Sequence, residues 1–233
     1  MFTDGISLFS GAGGDTIGLT KSGINVIGYS EYIETFIETH NTNHPKCKLI
    51  GKDIREIEDK TFEEYKNIYI MFAGFPCQTF SHGGKKAALS DPRGNLFYDF
   101  VRAADVMKPR WIIGENVKGI LSRKNEDKSK FVKDIICEEF EKIGYHMYEP
   151  FVLKANNFGV PQKRERCFFV GSLKKYDFTS KKIEIIRFNE NVDPSTIITV
   201  IGGLDKHLIL GIGNIVGWGE RFVNEIKGFK IND

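Results

Sequence analysis

Ile68-Tyr69-Ile70-Met71-Phe72-Ala73-Gly74-Phe75-Pro76-Cys77 is the stretch on which the fold turns. Its unbroken apolar run predicts a strand buried on both faces, the pattern of a parallel sheet sandwiched between helices. The chain then breaks at Gly74 and Pro76. A cysteine is thereby presented at a strand terminus, the edge where open α/β sheets bind their ligands. Taken alone, Cys77 reads as a small buried hydrophobe, as most free cysteines are. Its neighbours shift that balance. Pro76 fixes the backbone before it, and Gln78, Thr79 and Ser81 bring hydrogen-bonding groups. The glycine-rich basic segment His82-Gly83-Gly84-Lys85-Lys86 then reads as a flap.

Upstream, Ile6-Ser7-Leu8-Phe9 reads as a first strand, followed by Ser10-Gly11-Ala12-Gly13-Gly14-Asp15 and a helix that stops at Gly23. A glycine turn between strand and helix lets a ligand approach the backbone and the helix N-terminal N–H groups. It is not the dinucleotide fingerprint, because Thr16 stands where the third glycine belongs. The second strand, 25–30, ends in Glu31. An acidic residue at that tip is placed to accept ribose hydroxyls, or equally to cap the next helix, about 32–41. A third strand, 48–50, leads to Asp53, a second carboxylate on the same edge.

Downstream, a helix over roughly 94–107 shows Leu96, Phe100, Ala103 and Ala104 on one face. Trp111-Ile112-Ile113-Gly114 is a further buried strand that delivers Glu115 and Asn116. An amphipathic helix follows, with Val132, Ile136, Phe140 and Ile143 as its stripe and Gly144 as its stop. Gln162-Lys163-Arg164-Glu165-Arg166 opens the strand Cys167-Phe168-Phe169-Val170-Gly171, and alternation places Gln162, Arg164 and Arg166 on one face. From about residue 172 the periodicity weakens.

A chain of 233 residues with 41% apolar content supports one domain with a full core. The formal charge of +2 gives no bulk attraction to nucleic acid, and each local basic cluster reads first as solvated surface. The four cysteines are far apart, which suggests neither a zinc site nor a disulfide framework. No leader pattern opens the chain, and no apolar run approaches the roughly 20 residues of a membrane span. The expectation is a reduced, cytoplasmic protein with no membrane partner.

These ordered motifs resemble the cytosine-5 DNA methyltransferases of bacterial restriction–modification systems. Phe9-Ser10-Gly11-Ala12-Gly13-Gly14 resembles the family's cofactor loop. Gly74-Phe75-Pro76-Cys77-Gln78-Thr79-Phe80-Ser81 resembles its nucleophile motif, and Glu115-Asn116-Val117 its E-N-V motif. Gln162-Lys163-Arg164-Glu165-Arg166 resembles its Q-x-R-x-R motif. Gly213-Asn214-Ile215-Val216 resembles its closing G-N-x-V motif, although Ile215 replaces a usual Ser or Ala.

The resemblance implies an α/β, Rossmann-like S-adenosylmethionine-dependent methyltransferase fold. Its sheet is mostly parallel, with an antiparallel final hairpin that includes Cys167–Val170 and helices on both faces. It implies methyl transfer from S-adenosyl-L-methionine to C5 of a flipped-out cytosine in double-stranded DNA, leaving S-adenosyl-L-homocysteine. Cys77 is the implied nucleophile at C6, Glu115 the donor at N3, and Asn116 the residue that orients the loop. Arg166 and Arg164 are the implied ligands of the base, with Gln78, Ser81 and Gln162 as further substrate contacts. Phe9, Gly11, Gly13, Glu31, Tyr32, Asp53, Ile54, Pro76, Leu96 and Asn214 are the implied cofactor residues, with Asp53 and Ile54 reading the adenine edge. No metal is implied.

The departure is as informative. Only about forty residues separate Arg166 from Gly213, too few for a second domain that reads bases in the major groove. Residues 1–172 thus correspond to the catalytic and cofactor-binding part, 173–210 to a short remnant or replacement of the target-recognition region, and 211–233 to a segment returning to the catalytic part. Three arrangements account for this, in order of preference: a recognition region on a second polypeptide, a remnant or deletion, and a minimal enzyme of low sequence preference. The competing functions are a tRNA cytosine-5 methyltransferase, a non-catalytic cofactor-sensing or DNA-binding subunit, and a nicotinamide oxidoreductase. The last explains the glycine loop and Glu31 but leaves Cys77 and the arginines without a role.

Overall fold

Residues Ile70–Ala73 form β4, at the middle of an eight-stranded sheet. The computed structural model describes residues 3–76, 96–125 and 127–176. The other strands are β1 (Asp4–Leu8), β2 (Asn25–Ser30), β3 (Lys48–Gly51), β5 (Trp111–Val117), β6 (His146–Met147), β7 (Phe151–Lys154) and β8 (Glu165–Ser172). Their order is β3-β2-β1-β4-β5-β8-β6, with β7 also paired to β8. The first five pair in parallel. β8 runs antiparallel to β5, β6 and β7, which is the expected reversed final hairpin.

The helices are α1 (Gly14–Lys21), α2 (Glu34–Asn43), α3 (Asp59–Glu63), α4 (Leu96–Met107) and α5 (Val132–Lys142). Strand alternation divides the core in two. Leu8, Met71, Ala73, Ile112 and Phe169 face one side, where Phe62 of α3, Phe100 of α4 and Ile136 and Phe140 of α5 meet them. Val26, Ile70, Ile113, Phe168 and Val170 face the other, with Leu19 of α1. His40 of α2 stacks on Tyr29 at 3.6 Å. None of the helices, among the described residues, is long and apolar enough to cross a membrane.

Four local expectations shift. β1 stops at Leu8, because Phe9 takes a left-handed φ of 55° that no strand continues. β5 does not end at Gly114 but runs to Val117, since the ladder with β8 extends to the Val117–Arg166 pair. Glu115 and Asn116 are therefore strand residues. The helix after Glu31 begins at Glu34, because Ile33 is still extended. Helix α3 and strand β7 have no counterpart in the expected elements.

Candidate active site

The tips of the parallel strands gather the implied cofactor residues at one edge. After β1 the chain makes a tight left-handed turn, with φ of 55° at Phe9, 56° at Gly11 and 91° at Gly13. Gly13 has a second constraint. A Cβ there would lie 2.8 Å from the rings of both His40 and His44. Gly11 is different, since a Cβ would meet nothing within 4 Å, so its side of the loop is open.

Glu31, at the end of β2, holds this loop. Its Oε2 accepts the Gly11 N–H and its Oε1 the Ile33 N–H, each at 2.8 Å. Each oxygen retains a lone pair, so the carboxylate can brace the loop and still accept hydroxyls. Ile33, the residue before α2, carries no side-chain cap, so Glu31 links two strand tips rather than simply capping a helix. Tyr32 beside it is 69% exposed, a free ring face at the same edge. Asp53 follows β3. Its carboxylate takes the Arg55 guanidinium and the Arg55 N–H. The Arg55 bonds hold its carboxyl below the usual range. Ile54 is buried in the core. Pro76 and Leu96, both half-buried, complete this edge from β4 and the start of α4.

Beneath the glycine loop lies a polar network absent from the implied residues. Asp15 accepts from the Ser7 hydroxyl, the Ser10 hydroxyl at 3.0 Å and the Thr16 N–H at 2.8 Å. Thr16 Oγ1 lies 3.0 Å from His40 Nε2. Burial raises the Asp15 carboxyl to about 6 against the opposing hydroxyl bonds.

The implied catalytic residues of β5 and β8 sit one strand over, and the β5–β8 register places them. Glu115 pairs opposite Phe168 and Val117 opposite Arg166, so Glu115 and Arg166 are diagonal neighbours on one face. Arg166 Nε lies 2.8 Å from Glu115 Oε1, and an Arg164 guanidinium nitrogen lies 3.7 Å from the same oxygen. Asn116 points the other way. Its Nδ2 donates to the Phe75 carbonyl at 2.9 Å, and its Oδ1 accepts the Val117 N–H at 2.8 Å. Adjacent residues of one strand thus carry a carboxylate into the site and an amide that pins the backbone two residues before Cys77. A Cβ at Gly74 would make only ordinary contact with Glu115 Oε2, at 3.8 Å.

Gln162 does not join the arginines. It lies exposed in a tight turn, where Gln162 N–H donates to the Val160 carbonyl and Arg164 N–H to the Gln162 carbonyl. Strand alternation starts only at the Lys154–Glu165 pair, so the period-two argument fails before Glu165. Cys77, Gln78, Ser81 and Asn214 lie outside the described residues. The three described cysteines, Cys47, Cys137 and Cys167, are pushed up to about 12, 11 and 11 by burial, which suits inert packing rather than nucleophilic attack.

Glu115, Arg164 and Arg166 open onto a trench of about 520 Å³ on the α1 side of the sheet. Gly11, Asp15, Phe72, Ile113, Phe151 and Phe158 also line it. The lining aromatics after β6 are among the residues the sequence pattern missed.

A sequence profile of the C-5 cytosine-specific DNA methylases matches residues 3–211. The chain belongs to the C-5 cytosine-specific DNA methylase family. The Type II methyltransferase M.FnuDI of Fusobacterium nucleatum is 42% identical over 175 residues, covering 75% of this chain and 48% of that protein. M.HpaII of Haemophilus parainfluenzae is 36% identical over 199 residues, covering 83% and 54%. A solved DNA modification methyltransferase encoded within an Escherichia coli prophage superposes with a TM-score of 0.60 at 28% identity, covering 72% of this chain and 46% of that one. The DNMT2 of Spodoptera frugiperda, at 21% identity and a TM-score of 0.58, shares the fold. The chain spans about half the length of the curated methylases it matches. The family match ends at residue 211, so the Gly213–Val216 motif lies beyond it.

Proposed function

We propose that this chain is the catalytic part of a DNA (cytosine-5-)-methyltransferase of a restriction–modification system, working in the cytoplasm on double-stranded DNA. The observation that carries the reading is the division of labour on β5: Glu115 meets Arg166, while Asn116 fixes the loop that leads to Cys77. A nicotinamide oxidoreductase has no use for that pairing.

The cofactor edge fits S-adenosylmethionine. Glu31 presents a braced carboxylate to a ribose, Gly11 leaves open space, and Tyr32 offers a ring face to a purine. When bound, the cofactor supplies an electrophilic methyl group. The remaining work falls to the chain. Cys77 as thiolate adds to C6 of an extruded cytosine, which makes C5 nucleophilic. Glu115 hydrogen-bonds N3 and carries the proton that offsets charge on the ring, so the base competes with Arg166 for that carboxyl. Arg166 and Arg164 hold O2 and the developing negative charge. Asn116 keeps Pro76 and Cys77 in line with the base. Once C5 carries the methyl group, a base or water takes the C5 proton and the C6–S bond breaks, which releases Cys77 as thiolate and restores the aromatic ring.

Two further features belong to the same reading. The short interval between Arg166 and Gly213 supports a target-recognition region contributed by a second polypeptide. The resemblance of Gly213-Asn214-Ile215-Val216 to the family's closing motif supports a return of residues 211–233 to the catalytic part. The test is transfer of tritiated methyl from S-adenosylmethionine to unmethylated duplex DNA and to tRNA, with Cys77→Ser as control. Label on DNA that disappears in the control supports the reading. Label on tRNA alone rejects the DNA substrate. Silence on both, with cofactor binding intact by calorimetry, points to the missing recognition polypeptide.

A further inference from the structure

One arginine outside the described site ties its adenine edge together. Arg102 lies in the middle of α4, and its guanidinium crosses to the turn after β3. It donates to the Ile54 carbonyl at 2.8 Å and the Ile57 carbonyl at 2.9 Å, and pairs with Asp59 at 2.7 Å. Its Nε donates to Asp99 at 3.3 Å, and its plane lies over the Phe62 ring, 5.2 Å from the centroid. The turn it grips is the one that carries Asp53, Ile54 and Arg55, and the helix it springs from begins at Leu96. Two halves of the expected purine pocket, more than forty residues apart in sequence, therefore meet in one side chain.

The geometry points to Arg102 as a positioning residue that sets the adenine-reading turn against α4, and so sets how strictly the site selects adenine. This rests on the reading of the edge as an S-adenosylmethionine site. Ile54 is 3% exposed as a whole and belongs to the core cluster, so on the cofactor reading its contact with a ligand is through backbone. Its own carbonyl is held by Arg102, which fixes the plane of the Ile54–Arg55 peptide. The Asp53 carboxylate is in turn clamped by Arg55 within the same turn. Removing Arg102 leaves the Ile54 and Ile57 carbonyls without this donor and lets the turn rotate. Lysine is a poor substitute. An ammonium is a compact point charge with no planar fork, so it cannot reproduce the directed N–H donors to both carbonyls together with the guanidinium's contact over Phe62.

The test is calorimetric titration of the full chain with S-adenosylhomocysteine and with S-inosylhomocysteine, which carries a 6-oxo group in place of the exocyclic amine. The variants are Arg102→Ala, Arg102→Lys and Asp59→Ala, each checked for folding by thermal melting. Both Arg102 variants are expected to weaken S-adenosylhomocysteine about tenfold or more and to narrow the adenine-over-hypoxanthine preference toward one. Asp59→Ala, which removes an ion pair to the same guanidinium and a first-turn carboxylate of α3 but neither carbonyl bond, should leave the adenine preference unchanged. If Arg102→Ala does not fold, the lysine variant decides. Wild-type affinity and preference in a folded Arg102 variant overturn the proposal. So does weaker binding with the preference intact, which leaves Arg102 a role in stability alone. If the wild-type chain binds neither nucleoside, the cofactor reading itself fails, and this inference with it.

Discussion

Arg166 Nε lies 2.8 Å from Glu115 Oε1, across two antiparallel strands and one diagonal step of their register. The pairing holds the candidate proton donor and the candidate oxyanion ligand side by side before substrate arrives. Glu115→Gln keeps the shape and one hydrogen bond but loses the transferable proton, so kcat should fall by about 10²–10⁴ with little change in cofactor affinity. Arg166→Lys should lose most activity as well. Arg164→Ala should cost less, because Arg164 is half exposed and 3.7 Å away. Single-turnover methyl transfer measures all three.

Asn116→Ala removes the donor to the buried Phe75 carbonyl. An unsatisfied buried carbonyl costs about 1–3 kcal/mol, and the freed loop carries Cys77. The expected signature is a lower melting temperature, a lower kcat and a nearly unchanged Kd for S-adenosylhomocysteine.

Gly13 and Gly14 are adjacent but should respond in opposite ways to alanine. At Gly13 the φ of 91° and the 2.8 Å approach to two imidazoles both oppose a Cβ. Gly13→Ala should destabilise by roughly 1–3 kcal/mol from backbone strain alone. At Gly14, the first residue of α1, nothing lies within 4 Å. Gly14→Ala should be neutral or slightly stabilising. Urea denaturation of the two variants decides.

Much of this edge was legible in the sequence because parallel strands deliver their C-termini to one side. Glu31 and Asp53 could be placed at strand tips from pattern alone. The Glu115–Arg166 contact was not legible as a contact. The local pattern stopped β5 at Gly114, and only the long-range ladder with β8 carries it to Val117. β7 was invisible for the same reason, since four residues after Pro150 become a strand only by pairing with β8. The grip of Arg102 on Ile54 and Ile57 spans a distance that no periodicity encodes. Arg55, two residues from Asp53, carried a signal that could have been read, a cation beside a candidate carboxylate.

Acid should act on the layer under the glycine loop through two opposed groups. Burial, helped by the neighbouring His44, lowers His40 from 6.5 to about 4. The unfolded chain therefore takes up that proton first, so the stability tied to neutral His40 is full above pH 6.5 and is lost as pH falls toward 4. Asp15 is raised from 3.8 to about 6. There the folded chain takes the proton first, so stability rises as pH falls from about 6 toward 3.8. Relative to wild type, Asp15→Asn should lose stability more steeply on acidification through that window. His40→Gln should lose it less steeply or gain. Denaturation midpoints taken from about pH 4.5 to 7 separate the two.

On the proposed mechanism, Cys77 forms a covalent bond to a cytosine while Glu115 and Arg166 hold the ring. Duplex DNA carrying 5-fluorocytosine tests this most directly, because the fluorine blocks the final elimination and traps the adduct. With S-adenosylmethionine present, mass spectrometry should find a DNA adduct on the peptide containing Cys77, absent from Cys77→Ser. An adduct on Cys47, Cys137 or Cys167 instead, or methyl transfer to DNA that persists undiminished in Cys77→Ser, would contradict the account.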